Sequence, residues 1–91
     1  MITKPYYAIR ARQTGRYLTA SDPDTVAQYL LLFREDFEAR SYLTTHAQDL
    51  KAQFTIEYLS QNAIAPILGR WDLQGIGIVI DPLIPTIQFL Q

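Results

Sequence analysis

The residue types best suited to recognition chemistry stand near the start of the chain, where Arg10, Arg12 and Arg16 are interleaved with Tyr6 and Tyr17. Guanidinium groups pair with carboxylates and phosphates and also lie on aromatic faces. Together with Lys4 they make residues 1 to 16 a stretch with four cations and no acid, whereas the rest of the chain holds four basic and nine acidic residues. A formal net charge of −1 therefore divides into +4 and −5. Such asymmetry steers association with an acidic protein surface, or pairs the basic end with the acidic body of the same molecule. Single-stranded nucleic acid is a third reading, but four cations on a chain of pI near 5.6 are a small footprint for a dedicated binder.

Catalysis has less to draw on. His46 is the single histidine and cysteine is absent, so a metal site would have to be rich in carboxylates and any Ser-His-Asp arrangement would need His46 as its base. Its position beside an apolar helix face, near that helix's end, reads as a packed or partly exposed histidine. Glu35, Asp36 and Glu38 could divide acid and base roles, yet a first helical turn already favours acids there. Asp72 and Asp81 flank an apolar strand, with Trp71 alongside, and are expected to serve turns. A small-molecule or catalytic site around His46, Trp71, Asp72 and Asp81 is the alternative to protein binding. No metal or cofactor is expected.

A third group carries apolar surface instead of charge. Leu83, Ile84, Ile87, Phe89 and Leu90 crowd the last residues of the sequence. They either close this protein's own core or add a strand to a neighbour, a second copy included.

The elements that must position these residues follow from hydrophobic periodicity. Gly75 to Pro82 (GIGIVIDP) is apolar on both faces, with Ile76, Ile78 and Ile80 on one and Gly75, Gly77 and Val79 on the other. That is a strand covered on both sides, stopped by Asp81-Pro82, with the two glycines expected to admit a helix backbone. Its glycine spacing does not fit a phosphate-binding loop. Gln28 to Phe33 (QYLLLF) reads as a second central strand. Residues 6 to 20 alternate around Gln13-Thr14-Gly15 and read as a β-hairpin with Tyr7, Ile9 and Ala11 inward and Tyr6, Ala8, Arg10 and Arg12 outward.

Ala39, Tyr42, Leu43, Ala47 and Leu50 fall on one helix face, with Glu38 and Arg40 towards water, and that helix ends or bends near residues 46 to 49. Gln53 to Leu59 returns to alternation, with Phe54, Ile56 and Tyr58 inward. Ser60 is expected to cap a second helix through Ala63, Ile64, Ile67 and Leu68, stopped by Gly69; Pro66 makes that helix short, kinked or later in starting than the serine suggests. Thr86 to Leu90 is a half-wet edge strand. The order β-β-β-α-β-α-β-β predicts an α/β (α+β) fold, one mixed sheet of about six strands with two helices on one or both faces. At 91 residues, 48% of them hydrophobic, the chain is expected to be one domain over 1-91, a basic hairpin (6-20) joined to a body (28-90).

From about Leu30 to Leu90 the chain resembles the N-terminal domain of SseB-like proteins. The resemblance lies in the strand ending at Phe33, the helix DFEARSYL, the short helix with Ile64, Ile67 and Leu68, and the glycine-containing strand closing on Asp81-Pro82, where that family usually has Asn-Pro. The general style also looks like the short proteins common in cyanobacteria. The SseB-like resemblance implies an accessory or protein-binding domain. No cysteine, no signal-like start and no apolar run near the ~20 residues that span a bilayer point to a cytoplasmic protein without membrane contact. The expected function is a small non-enzymatic adaptor that binds another protein through Arg10, Arg12, Arg16 and Tyr17, through Ile87, Phe89 and Leu90, or through both.

Overall fold

The structure, a computed structural model, describes residues 5–81, 83 and 86–90; Lys4, Pro82 and Ile84 lie outside them. Its elements are β1 (Tyr6–Ala11), β2 (Thr19–Ser21), β3 (Gln28–Phe33), α1 (Asp36–His46), a 3-10 turn (Gln48–Gln53), β4 (Phe54–Leu59), α2 (Gln61–Arg70), β5 (Gly75–Asp81) and β6 (Thr86–Leu90). One mixed, six-stranded sheet runs β4-β1-β3-β5-β6, with β2 attached to β3. The α+β architecture is the expected one.

β3 and β5 form the parallel pair, Leu30 opposite Ile76 and Leu32 opposite Ile78. β6 folds back antiparallel on β5, and β1 is antiparallel to both β3 and β4. The strand GIGIVI is therefore internal, flanked on both sides. Apolar character on both faces has its reason in two cores. Ala8, Leu30, Leu32, Ile76 and Ile78 meet Ile64 of α2 on one face, while Ile9, Leu31, Phe33 and Val79 meet Ala39 and Leu43 of α1 on the other.

Opposite faces are what chain handedness demands. The β3-α1-β4 crossover moves towards one edge and β4-α2-β5 moves back, so two crossovers of the same hand must place their helices on opposite sides.

Four side-chain expectations change, and so does the path of the hairpin. Ala8 is fully buried under α2, because β1 is covered on both faces instead of having a wet one. The chain also breaks the smooth hairpin at Leu18, whose N–H donates to Ile9 O at 2.8 Å while its carbonyl accepts from Leu31 N–H at 3.1 Å. Arg16 to Leu18 thus pairs with β1, and the chain then reverses so that β2 pairs with β3, forming a V between the two strands.

Leu50 turns outward because α1 ends at His46 and the 3-10 turn rotates it off the helix face. Tyr58 is 59% exposed: β4 is an edge strand, and the ring meets Tyr7 edge-on, 5.7 Å between centroids. Glu38 is the opposite case, its side chain just 12% exposed and paired with Arg34 at 2.9 Å.

Candidate functional site

Gly15 sets the geometry of the basic turn. Its φ of +72° is the left-handed region that glycine enters without steric cost, and its N–H donates to Ala11 O at 2.9 Å. The reversal brings Arg10 opposite Tyr17 across the turn, as the alternation predicts. Arg10 Nε donates to Gly15 O at 2.8 Å, its Nη1 donates to Glu57 Oε1 at 3.1 Å, and its guanidinium lies 4.9 Å from the Tyr17 ring centre. The Tyr17 hydroxyl donates to the other Glu57 oxygen. Burial first, then this hydrogen bond and the charge of Glu57, push the Tyr17 phenol up to about 12. Arg10 is consequently committed to the fold.

Arg16 is placed differently. Its guanidinium lies 5.6 Å from the centre of the Trp71 ring, and Arg70 lies 5.5 Å from the same ring. Each contact contributes about 0.5–1 kcal/mol at an exposed site. Among the described residues neither arginine has an acidic partner, whereas Arg10, Arg34 and Arg40 are each in an ion pair.

What fixes Trp71 is the end of α2. Leu73 N–H donates to Leu68 O at 2.8 Å and Asp72 N–H to Gly69 O at 3.4 Å, the paired bonds of a Schellman closure. Asp72 takes the left-handed position with φ 55°, so the stop is Asp72 and not Gly69. Ser60 does precede the helix, though its side chain makes no capping bond, and Pro66 sits inside the ten-residue helix without ending it.

A depression of about 320 Å³ opens between the arms of the V and the end of α2. Arg16, Tyr17, Thr19, Gln28, Trp71 and Asp72 line it. Two sets of residues that the sequence offered as rival sites, Arg16 with Tyr17 and Trp71 with Asp72, share this one place.

Other candidates are elsewhere. Arg12 lines a separate depression of about 430 Å³ with Gln53 and Phe54. His46 is exposed at the end of α1, its ring 4.8 Å from Tyr42, on the sheet face opposite α2. Asp81 ends the seven-residue strand β5 and accepts from Leu83 N–H at 3.0 Å, a turn contact, with the length of that strand, roughly 20 Å, separating it from Asp72. The set His46, Trp71, Asp72 and Asp81 does not converge. Of the first-turn acids, Asp36 and Glu38 are taken up by Arg40 and Arg34. Among the described residues no group of three or more His, Cys, Asp or Glu is placed to hold a metal.

At the other edge, Ile87 and Phe89 are half-buried and Leu90 is 41% exposed. A Cβ on Gly77 would meet Ile87 Cγ2 at 3.0 Å and the Phe89 ring at 3.4 Å, so the space left by glycine is filled by β6 side chains and not by a helix backbone. Phe89 crosses that gap to reach Tyr29 on β3, 4.8 Å between ring centres.

Arg70, Thr19, Gln28 and Glu57 escaped the sequence reading. Arg70 had a local signal, its place beside Trp71 at a helix end; the other three had none, since strand register alone brings them in. Comparison with protein-family models finds no match, and comparisons with curated proteins and with solved structures find none either, so the likeness to SseB-like domains gains no support from them.

Proposed function

We propose that this protein is a small non-enzymatic adaptor that binds another protein through its basic turn, with the open edge of β6 as a second route. The observation that carries the reading is the pair of guanidiniums, Arg16 and Arg70, held on Trp71 with no acidic partner among the described residues, while Arg10 close by is paired with Glu57. Charge there would orient and speed association, and the half-buried indole would add apolar contact. At the second route, Ile87 and Phe89 serve the protein's own sheet, leaving the outer backbone of β6 and Leu90 for strand addition. Among the described residues no helix is long and apolar enough to cross a membrane, and a cytoplasmic setting belongs to the same proposal.

Capture from lysate of the native host tests it. Wild type should retain a defined partner that the folded Arg12→Glu/Arg16→Glu variant loses, and Leu90→Asp reports separately on β6. Identical captured sets for all three folded proteins would overturn the reading.

A further inference from the structure

The floor of the V carries an unused piece of strand. Arg16 and Leu18 direct their main-chain groups to β1, through Ala11 N–H to Arg16 O at 2.8 Å and Leu18 N–H to Ile9 O at 2.8 Å. Alternation along an extended chain turns the N–H and C=O of Tyr17, the residue between them, the other way, into the mouth of the V. Among the described residues they have no main-chain partner. On the far arm the side chains are bonded to one another, Thr19 Oγ1 donating to Gln28 Oε1 at 2.8 Å and Gln28 Nε2 to Ser21 at 2.5 Å. At the rim stand Arg16 and one acid, Asp72, and Arg70 lies against the same Trp71 ring that Arg16 meets; among the described residues neither arginine has an acidic partner.

We infer that this mouth docks an extended acidic segment of a partner protein, a side-chain carboxylate held by Arg16 and Arg70 beside Trp71 while the segment's backbone meets Tyr17. The inference rests on the protein-binding reading above and names its site and ligand chemistry. Charge complementarity selects the occupant: guanidinium forks bind carboxylates through two parallel hydrogen bonds, and both forks have their pairing capacity open. The free N–H and C=O of Tyr17 select an extended backbone over a helix, whose own groups are internally bonded. Asp72 limits the segment to a carboxylate on the arginine side of the rim.

Trp71 is the chain's single tryptophan, so its emission reports the site without a label. The probes are a short capped peptide alternating glutamate and threonine, its lysine-for-glutamate twin, the acidic peptide uncapped, and oligothymidylate. The capped acidic peptide should shift Trp71 emission saturably and the lysine twin should not. Affinity should fall about tenfold in Arg16→Gln and in Arg70→Gln, both exposed positions whose folding is checked by circular dichroism. It should weaken with added salt and strengthen in Asp72→Asn. No saturable shift, wild-type affinity retained in both glutamine variants, binding confined to the uncapped peptide, or tighter binding of oligothymidylate would each overturn the inference. If it falls while Arg12→Glu/Arg16→Glu still abolishes partner capture, the adaptor reading survives without it; if capture is unaffected too, both fall.

Discussion

Tyr17 holds its proton against two guanidiniums, Arg10 and Arg70, and the consequence is measurable. The phenol moves from 10.0 up to about 12, with burial the largest cause and the bond to Glu57 next. A raised acid pKa means that the folded state binds the proton more tightly than the unfolded chain. The contribution is complete below pH 10, where both states are protonated, and is lost as pH rises towards 12. Tyr17→Phe, which removes the donor and leaves Glu57 with Arg10 alone, should cost about 1 kcal/mol at neutral pH. That deficit should shrink across pH 10 to 12, measured by denaturant unfolding of both proteins. An unchanged deficit throughout would show that the hydroxyl contributes nothing through its proton. The sequence places Arg10 and Tyr17 together because both lie a few residues from Gly15. It is silent on Glu57, which arrives by the register of β4 against β1, where Ala8 faces it.

At the scale of elements, two glycines and one aspartate have roles that periodicity alone misassigns. Gly69 looked like the end of α2 because glycine is the commonest helix stop, yet the left-handed residue is Asp72. An L-residue there costs about 1–2 kcal/mol relative to glycine, so Asp72→Gly should raise stability by about 1 kcal/mol and the melting temperature with it. A decrease would mean that Asp72 makes a compensating contact.

Gly77 was expected to face a helix, but a period of two cannot say which neighbour fills a missing side chain. Ile87 and Phe89 fill it. Gly77→Val should therefore destabilise by about 1–3 kcal/mol through overpacking of β6 on β5, seen as a lower denaturant midpoint. Strand identities, the helix spans to within a residue or two, and the edge position of β6 could be read directly, since each depends on local pattern. Misplaced were Ala8, Leu50 and Tyr58, whose burial depends on where a helix ends or which strand lies at an edge.

For the whole molecule, the two helices cover opposite faces, and the basic mouth opens at the amino ends of β3 and β5, beside Gln28 and Leu73. Ligands of open α/β sheets usually bind at the carboxyl ends of the strands. At that end Arg34 pairs with Glu38 and donates to Ile80 O at 2.6 Å, and the depression there, about 280 Å³, is lined by both of them with Pro5, Tyr6 and Glu35. The charge imbalance between the first sixteen residues and the rest was visible in the sequence, but Arg10 spends its charge inside the fold while Arg70, from the acidic portion, joins Arg16. Three-dimensional placement, not position along the chain, decides which cations face outward.

The central claim is that this mouth is where another protein docks. Amide chemical-shift mapping of the labelled protein, on adding the partner captured from its host, locates the contact directly. The account predicts shifts concentrated in Arg16 to Thr19 and Arg70 to Leu73. Shifts centred on α1 and His46, with those two segments unmoved, would contradict it.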